Sequence, residues 1–426
     1  MKNNVITVKI SLIQNKIREI LSDETTGAKL FLVAWCIFLC GETLSTTMFP
    51  VPNRMYMVCR AAPVLLILIK VLLFDNYHVR SFWLSVFLVM IGAAVLFFSG
   101  YMEPLLWIIM LLGARNVSWR KILQIYIYIV ASIVFLAFCA SLLDVIENLQ
   151  YEVDGGDIVR NSFGSIYTTD FASHIFSVTL ALFYLMKERL NIWHYVIVSV
   201  IAVLVFRFCN TRLDVSCLFM LVGAFLFLNL WRRRRTVAKQ YRSKGYTAAK
   251  WMWFMPFTMI LMTAATVLYN PNNSFLKILD QIVSGRLEFG KQGLTQYGFS
   301  LFGQQVEMVG NGGTTIQLKD YFFVDCSYLY IFLSYGFLFL LIVLAVYMLC
   351  CRKFQSDPYF LIAIILISIN CMIAHHLIEL SYNPFALALL ASAPAAAVRE
   401  GRIKGNIGLK QGAGYGLGNS QPGDAF

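Results

Sequence analysis

The chain has 426 residues, of which 59% are hydrophobic and only 14% are charged, and its formal net charge is +12. A soluble globular chain carries roughly 25% charged residues, so this composition excludes an ordinary soluble domain and indicates a membrane protein. The basic residues are spread over many short segments, so their charge predicts contact with anionic membrane lipid and no nucleic-acid binding.

The segment before the first long apolar run, residues 1–28, is predicted to lie in the cytoplasm. It has no long apolar core, so it does not have the character of a cleavable signal peptide. Five isoleucines recur in it at helical spacing, namely Ile6, Ile10, Ile13, Ile17 and Ile20. This stripe predicts an amphipathic helix that lies on the inner surface of the membrane.

Apolar runs that are long enough to cross a bilayer recur between residues 29 and 398. A helix needs about 20 apolar residues to cross ~30 Å of hydrocarbon. The runs predict about twelve transmembrane helices: 29–47, 55–74, 81–99, 102–114, 122–143, 170–186, 192–209, 214–231, 251–269, 327–350, 359–379 and 385–398. The predicted fold class is an all-α polytopic membrane protein. It has nine helices in 29–269, a large extracytoplasmic loop containing amphipathic helices in 270–326, and three helices in 327–398.

The positions of lysine and arginine predict the orientation, because cytoplasmic loops carry the excess of positive charge. With the N-terminus inside, most of the 35 basic residues fall in inner segments, including the run "RRRR" at 232–235. Both termini are then cytoplasmic, and the glycine-rich tail at 399–426 is predicted to be disordered. Arg60 and Lys70 are exceptions, because they fall within the second predicted span.

The large outer loop is too long for a simple connection, and loops of that length are usually functional or disordered. In it, "SFLKILDQIVSG" (274–285) predicts an amphipathic helix with Ser274 as its N-cap and Gly285 as its stop. Arg286 follows directly, where a flexible glycine lets its side chain turn toward the membrane. The alternative for Arg286 is a solvated loop charge or a contact with a lipid headgroup.

Two further outer segments carry arginines. Arg160 lies in the loop 144–176, and "RFCNTRLD" (207–214) places Arg212 in a tight turn between two spans. Arg207 and Arg212, on the outside of such a short turn, run against the positive-inside rule and therefore need an explanation. The alternative for the tight turn is a surface pair between Arg212 and Asp214, which is worth at most ~1 kcal/mol.

A third outer feature is the stretch "IAHHLIELSYNPF" (373–385). If span eleven stays helical, His375, Glu379 and Asn383 share one face, because their spacing is i, i+4, i+8. His376 then points elsewhere. Ionisable residues in a span usually line a cavity or a path, and hydrogen bonding between helices is the alternative.

These residue types together predict phosphate binding and proton transfer. Arginine forks bind phosphate oxygens, and several arginines beside a membrane suit a lipid-linked diphosphate whose negative charge grows as it leaves. A nearby histidine or glutamate can take the proton from an attacking sugar hydroxyl. No carboxylate cluster has magnesium or manganese spacing, and no GxxxxGK[ST] motif occurs, so neither a metal, nor another cofactor, nor ATP is predicted.

Short motifs between about residues 140 and 390 carry a family resemblance. In chain order they are "RNSFG" at 160–164, "NTRLD" at 210–214, Gly285-Arg286-Leu287, Leu301-Phe302-Gly303-Gln304, Asp325, Ser327-Tyr328-Leu329, and Glu379 with Asn383-Pro384-Phe385. With them the sequence resembles the Wzy-type oligosaccharide repeat-unit polymerases of capsule, exopolysaccharide and O-antigen synthesis.

The resemblance implies a metal-independent, inverting glycosyltransferase with a GT-C-like fold in the bacterial cytoplasmic membrane. Such an enzyme moves a growing glycan from undecaprenyl diphosphate onto a lipid-linked repeat unit at the outer face of that membrane. The partners that it implies are this lipid-linked oligosaccharide, membrane lipids, and the chain-length regulator and flippase of the same pathway.

Residue roles are predicted from the resemblance together with the chemistry of the side chains. Arg212 and Arg286 are expected to hold the diphosphate, with Arg160 as a weaker third, and Asn383 is expected to contact substrate. His375 or Glu379 is the expected base. Asp325 is expected to position either the acceptor or an arginine.

Three alternatives remain open from the sequence. A ligase of the same architecture would transfer the finished glycan to a different acceptor, and no residue separates it from a polymerase. A flippase or secondary transporter would place ionisable residues near the bilayer midplane and would have related halves. Arg60 and Lys70 keep this reading open, although no repeat between halves is visible. A non-catalytic membrane scaffold is the third alternative.

Overall fold

The structure of the protein is a computed structural model that describes residues 24–75, 78–153, 158–237, 248–315 and 321–393. The amphipathic helix predicted for residues 5–21 and the glycine-rich tail predicted at 399–426 lie outside these ranges. Within the described residues the chain is mostly α-helical.

Nine α-helices precede residue 270 in the described ranges. They are α1 (Glu24–Leu44), α2 (Asn53–Leu73), α3 (Val79–Ser99), α4 (Glu103–Gly113), α5 (Trp119–Leu142), α6 (Thr168–Met186), α7 (Ile192–Cys209), α8 (Arg212–Val237) and α9 (Phe254–Leu268). All except α4 belong to the eight segments in the described residues that are long and apolar enough to cross a membrane. The chain is therefore an α-helical polytopic membrane protein.

Local sequence signals set both ends of α7, and its second end lies beside the site described below. The side chain of Asn191 accepts a hydrogen bond from the backbone of His194 and caps α7. At the other end of α7, Asn210 adopts a left-handed conformation with φ +49°. Asparagine tolerates this conformation better than most residues. The chain therefore reverses within two residues, and α8 begins at Arg212.

The later helices are shorter and less regular. They are α10 (Ser274–Ile282), α11 (Arg286–Tyr297), α12 (Ser327–Tyr330), α13 (Phe337–Lys353) and α14 (Pro358–Asn370). A π-helical turn at Ile331–Tyr335 joins α12 to α13, and a 3₁₀ helix at Pro384–Leu389 follows α14 after an irregular segment.

Four of the predicted spans are not long helices in the structure. The fourth, 102–114, is the 11-residue α4. The tenth, 327–350, is interrupted at Gly336. The eleventh ends as a helix at Asn370 instead of 379. The twelfth, 385–398, starts as the 3₁₀ helix and not as an α-helix. Twelve long helices are therefore not present in the described part of the chain, where eight meet the requirements of a span.

The irregular segment 371–383 is possible because other parts of the protein satisfy its backbone. The amide and hydroxyl of Ser327 both donate to the Ala374 carbonyl oxygen, and Tyr347 donates to that of Leu377. The Tyr126 hydroxyl donates to the carbonyl oxygen of Tyr382 at 2.9 Å. Irregular backbone is tolerated in membrane proteins where protein groups bury and satisfy it. The sequence prediction of a continuous helix failed because these partners come from distant positions.

A small sheet departs from the all-α prediction. Strands β1 (Gln150–Val153) and β2 (Ile158–Asn161) pair antiparallel, with Tyr151 opposite Arg160. The chain after β2 docks on the connection between α1 and α2 through an isolated bridge between Thr47 and Ser165. The hairpin thereby fixes the position of Arg160.

The residues predicted as the large outer loop contain two helices. The first, α10, is capped by Asn273 instead of Ser274, because the Asn273 side chain accepts from the amides of Phe275 and Leu276. Gly285, at φ +80°, then turns the chain directly into α11. Arg286 is consequently the first residue of a helix, and not part of a flexible arm.

Basic residues cluster at one end of the helical bundle, where Arg189, Arg233, Arg234 and Arg352 accompany three basic residues that have protein partners. Lys187 pairs with Asp357 at 2.5 Å, Arg232 pairs with Glu188 at 2.5 Å, and Lys353 donates to the Ala391 carbonyl oxygen at 2.5 Å. These groups lie where α6, α8 and α13 end, and we call this the basic end. The opposite end, where α1 and α7 end and α6 and α8 begin, is called the cavity end.

Gly336 is expected to be essential for the break between α12 and α13. It has φ +88°, and a Cβ there would meet the Gly303 nitrogen and lie 2.6 Å from the Leu301 carbonyl oxygen. Gly298 has φ +67° but has open space around it. We expect Gly298→Ala to lower the free energy of unfolding by about 1–3 kcal/mol through backbone strain alone. Gly336→Ala should cost more than about 4 kcal/mol, because it adds a clash with backbone atoms.

Equilibrium unfolding of both variants in mixed detergent micelles measures this difference. Similar losses for the two variants would show that segment 301–303 does not pack tightly against the break.

Candidate functional site

A cavity of about 550 Å³ opens at the cavity end of the bundle. Its walls come from the start of α6, the α7–α8 turn, the junction of α10 and α11, residues 310–312, residues 321–325 and the irregular segment 371–383. Six residues that the sequence singled out line it: Arg160, Arg212, Arg286, Asp325, His375 and Glu379. The fold thus brings together positions that are up to 219 residues apart in the chain.

Arg212 lines the cavity and is not held by an ion pair within the part of the chain that the structure describes. The residue is exposed, lines the cavity, and has no carboxylate within ion-pair distance among the described residues. The surface pair with Asp214 that the sequence offered as an alternative is not formed. Asp214 is instead buried and accepts a hydrogen bond from the Ser173 hydroxyl at 3.1 Å.

Arg286 is held in place by several contacts. Its Nε donates to the Ile373 carbonyl oxygen at 2.8 Å, and its Nη1 donates to the carbonyl oxygens of Val283 and Ser284. Its Nη2 lies 3.2 Å from Oδ2 of Asp325. The arginine therefore ties the start of α11 to the irregular segment and aims one edge of its guanidinium at the Asp325 carboxylate.

Imidazoles and carboxylates alternate from Asp325 into the cavity. The Nδ1 of His375 lies 3.8 Å from Asp325 Oδ1, and its Nε2 lies 3.5 Å from Glu379 Oε1. The other oxygen of Glu379 is hydrogen-bonded to His376 Nδ1 at 2.8 Å. The Nε2 of His376 then lies 3.8 Å from Asp170 Oδ1. Glu379 thus stands between two imidazoles, and each imidazole has a second carboxylate on its far side.

His376 belongs to the cavity, in contrast to the prediction that it points elsewhere. That prediction assumed a helix through residue 379, in which neighbouring histidines face about 100° apart. Because the helix ends at Asn370, the turn that follows brings His375 and His376 to the same carboxylate. Sequence reasoning could not detect this arrangement.

Tyr382 is another cavity residue to which the sequence assigned no role. Its ring stacks between His174, at 3.9 Å between centroids, and His376, at 3.8 Å. Its hydroxyl donates to Asp170 at 3.1 Å. The Nε2 of His174 is hydrogen-bonded to Thr46 at 2.8 Å. This stack fixes the plane of the His376 ring, and with it the direction of the nitrogen that meets Glu379.

Arg160 lies against the cavity wall instead of extending into its centre. Its Nε donates to the Cys209 carbonyl oxygen at 3.0 Å, and its Nη2 donates to Thr168 at 2.7 Å. The guanidinium also lies over the Tyr167 ring. These contacts connect the β-hairpin to the α7–α8 turn and leave only part of the guanidinium for a ligand.

Asn383 lies outside this cavity. Its amide donates to the Tyr347 hydroxyl at 2.7 Å and to the Leu377 carbonyl oxygen at 2.9 Å. Its side-chain oxygen accepts from the backbone of Phe385. The residue is buried and stabilises the turn before the 3₁₀ helix, which is a different position from the substrate contact that the sequence predicted.

Tyr321 adds a neutral hydroxyl to the cavity wall. Burial raises the pKa of this phenol above its ordinary value, and the nearby negative charge of Asp325 raises it further. The phenol consequently keeps its proton at neutral pH and can donate a hydrogen bond to a ligand oxygen.

No protein-family model matches the chain, and no curated protein and no solved structure matches it. The function is therefore argued from the geometry of the cavity itself.

Proposed function

We propose that the chain is a polysaccharide repeat-unit polymerase of the Wzy type. It transfers a glycan from a polyprenyl diphosphate to a sugar hydroxyl of a second lipid-linked repeat unit at the outer face of the cytoplasmic membrane. The observation that carries the proposal is the convergence of arginine side chains and an imidazole–carboxylate cluster on one cavity at the end of a membrane bundle.

The donor diphosphate is assigned first to Arg212. Its guanidinium is the one in the cavity that is exposed and has no ion pair among the described residues. A guanidinium has five N–H donors, and the contacts of Arg286 leave one of them free. Arg286 therefore contributes positive charge and one donor, while Arg212 offers a complete fork for phosphate oxygens.

The general base is assigned to Glu379. Its side chain is 30% exposed, against 22% for His375, and its two oxygens are directed by His375 and His376.

In the proposed step the acceptor hydroxyl gives its proton to Glu379 as the hydroxyl oxygen bonds to the donor anomeric carbon. The bond from that carbon to the diphosphate oxygen breaks, and its electron pair leaves with the diphosphate. A single displacement of this kind inverts the anomeric configuration.

The arginines take the role that a metal ion has in many glycosyl transfers. Negative charge accumulates on the diphosphate as the bond breaks, and preorganised cationic donors stabilise charge that develops in the transition state. Asp325 is 3.2 Å from Arg286 and 3.8 Å from His375, so it positions both groups. The proposed reaction consequently requires no metal.

The orientation of the bundle supports access to lipid-linked substrates. Basic residues cluster where α6, α8 and α13 end, opposite the cavity, and the ends of membrane proteins with more lysine and arginine face the cytoplasm. The cavity then opens to the outer side, where both polyprenyl-linked glycans are displayed and where a chain-length regulator and a flippase of the pathway would meet this protein.

Arg60 and Lys70, the two charged residues that suggested a transporter, both form ion pairs in the structure. Arg60 forms ion pairs with Glu42 at 2.7 Å and Glu103 at 3.2 Å, and Lys70 forms one with Asp75 at 2.6 Å. Both charges are therefore neutralised by neighbouring parts of the fold. A ligase would use the same cavity chemistry, and only the acceptor distinguishes it from a polymerase.

We expect purified protein in liposomes to lengthen a lipid-linked repeat unit into a ladder of products, with and without EDTA. The ladder should survive EDTA, because arginines supply the positive charge. Transfer to an added acceptor other than the repeat unit, without a ladder, would indicate the ligase. Movement of the lipid-linked unit across the membrane without any transfer would contradict the proposal and indicate a flippase.

A further inference from the structure

Two adjacent histidines and a glutamate direct their donor atoms to one point in the cavity wall. They are His375, His376 and Glu379, and one donor atom from each lies within 4.8 Å of the others. The nitrogens that face the carboxylate are His375 Nε2, 3.5 Å from Oε1, and His376 Nδ1, 2.8 Å from Oε2. Ligand atoms of a metal ion must converge in this way, because each lies about 2.0–2.2 Å from the ion. The side chains lie in an open cavity, so an ion can reach them.

The far side of each imidazole also has the environment of a metal ligand. His375 Nδ1 faces Asp325 at 3.8 Å, and His376 Nε2 faces Asp170 at 3.8 Å. Metal-binding histidines generally direct their second nitrogen to a carboxylate, a carbonyl oxygen or water, and this partner fixes the tautomer. Two histidines with this arrangement around one shared carboxylate constitute an observation that is independent of the donor distances.

We infer that His375, His376 and Glu379 form a binding site for a divalent transition-metal ion of the zinc class. Two imidazoles and one carboxylate match the ligand preference of zinc and cobalt, whereas magnesium and calcium prefer oxygen ligands alone. Three protein ligands leave a fourth position that faces the cavity. Binding needs no net loss of protons if each imidazole proton moves to the nitrogen that faces Asp325 or Asp170.

The ion is expected to inhibit glycan transfer, and this part rests on the proposed function. Glu379 cannot accept a proton from the acceptor hydroxyl while its oxygens bind a metal ion. The ion would also replace the 2.8 Å hydrogen bond between Glu379 and His376. The resulting enzyme needs no metal for transfer but is switched off by zinc, and EDTA restores it.

The binding experiment uses the full chain, purified in detergent without a histidine tag and freed of metal with EDTA. Titration with Co²⁺ should produce the visible absorption of a low-symmetry cobalt site with one equivalent bound, and Zn²⁺ should displace it. Glu379→Ala and His376→Ala should abolish this band. His194→Ala is the control, because His194 is a partly exposed histidine in the first turn of α7, which begins at the basic end, and it does not line the cavity.

Two milder variants keep the test decisive if those substitutions prevent folding. Asp325→Asn and Asp170→Asn leave the ligands intact, and each should weaken Co²⁺ binding by about 10–100-fold if the aspartates orient the imidazoles. Wild-type protein without saturable Co²⁺ binding, or aspartate variants with unchanged affinity, would overturn the site.

Activity is then measured separately in the liposome assay. Inhibition by Zn²⁺ that EDTA reverses is the expected result, and activation by Zn²⁺ would overturn the inhibitory role. Co²⁺ binding by a protein without transferase activity would overturn the proposed function and leave the metal site intact. Transferase activity without Co²⁺ binding would overturn the metal site and leave the proposed function intact.

Discussion

Glu379→Gln is expected to reduce the rate of glycan transfer by about 10²–10⁴-fold, which is the usual contribution of a positioned general base. Glutamine has nearly the same shape as glutamate and still offers an oxygen to one of the two histidines, but it cannot take a proton from the acceptor hydroxyl. The substitution changes the contacts with His376 and His375 less than it changes the ability of residue 379 to accept a proton. The loss should therefore appear in kcat, with little change in KM.

Initial rates of glycan lengthening at saturating acceptor measure this effect. The matched control is Glu307→Gln, because Glu307 is exposed and does not line the cavity. Both variants should unfold at the wild-type denaturant concentration. Wild-type kcat in Glu379→Gln would exclude Glu379 as the base and transfer that role to His375.

Arg212→Ala is expected to lower kcat/KM for the polyprenyl-diphosphate donor by about 10²–10³-fold. This is the typical cost of removing one preorganised donor that stabilises a developing negative charge. Because Arg212 is exposed and has no ion pair among the described residues, its removal should leave the stability of the fold almost unchanged. Arg212→Lys should recover part of the loss, since lysine restores the charge but not the two-pronged geometry.

Arg207→Ala provides the matched control for this measurement. Arg207 lies five residues earlier, at the end of α7, and is exposed outside the cavity. Its removal changes the net charge equally, so it corrects for any general attraction of anionic lipid. Equal losses in the two variants would mean that Arg212 acts through long-range charge and does not contact the diphosphate.

Sequence reasoning identified much of the site because the signals were local. Arg160, Arg212 and Arg286 were noticed as cations in segments that should be poor in positive charge, and all three line the cavity. Their individual roles differ because of tertiary contacts that composition does not reveal. Arg286 donates most of its N–H groups to other protein atoms, whereas Arg212 is exposed and has no ion pair among the described residues.

The irregular segment 371–383 shows where prediction from sequence failed. Its apolar composition is as compatible with a helix as that of α14, and the i, i+4, i+8 spacing of His375, Glu379 and Asn383 supported one. The helix ends early because Ser327, Tyr347 and Tyr126 supply backbone partners from elsewhere. These residues are far from the segment in the sequence, so they reach hydrogen-bonding distance only when the chain folds.

The sequence by itself determined that the chain lies in a membrane as a bundle of apolar helices, that basic residues collect in particular connections, and which side chains carry charge. Those properties depend on composition within about 20 residues, which is the length of one span. Tertiary structure alone decided that His375 and His376 both meet Glu379, that Tyr382 stacks between two histidines, and that Asn383 turns away from the cavity. Each of these depends on a hydrogen bond or a ring contact, and its geometry follows from how an irregular buried segment satisfies its backbone within the fold.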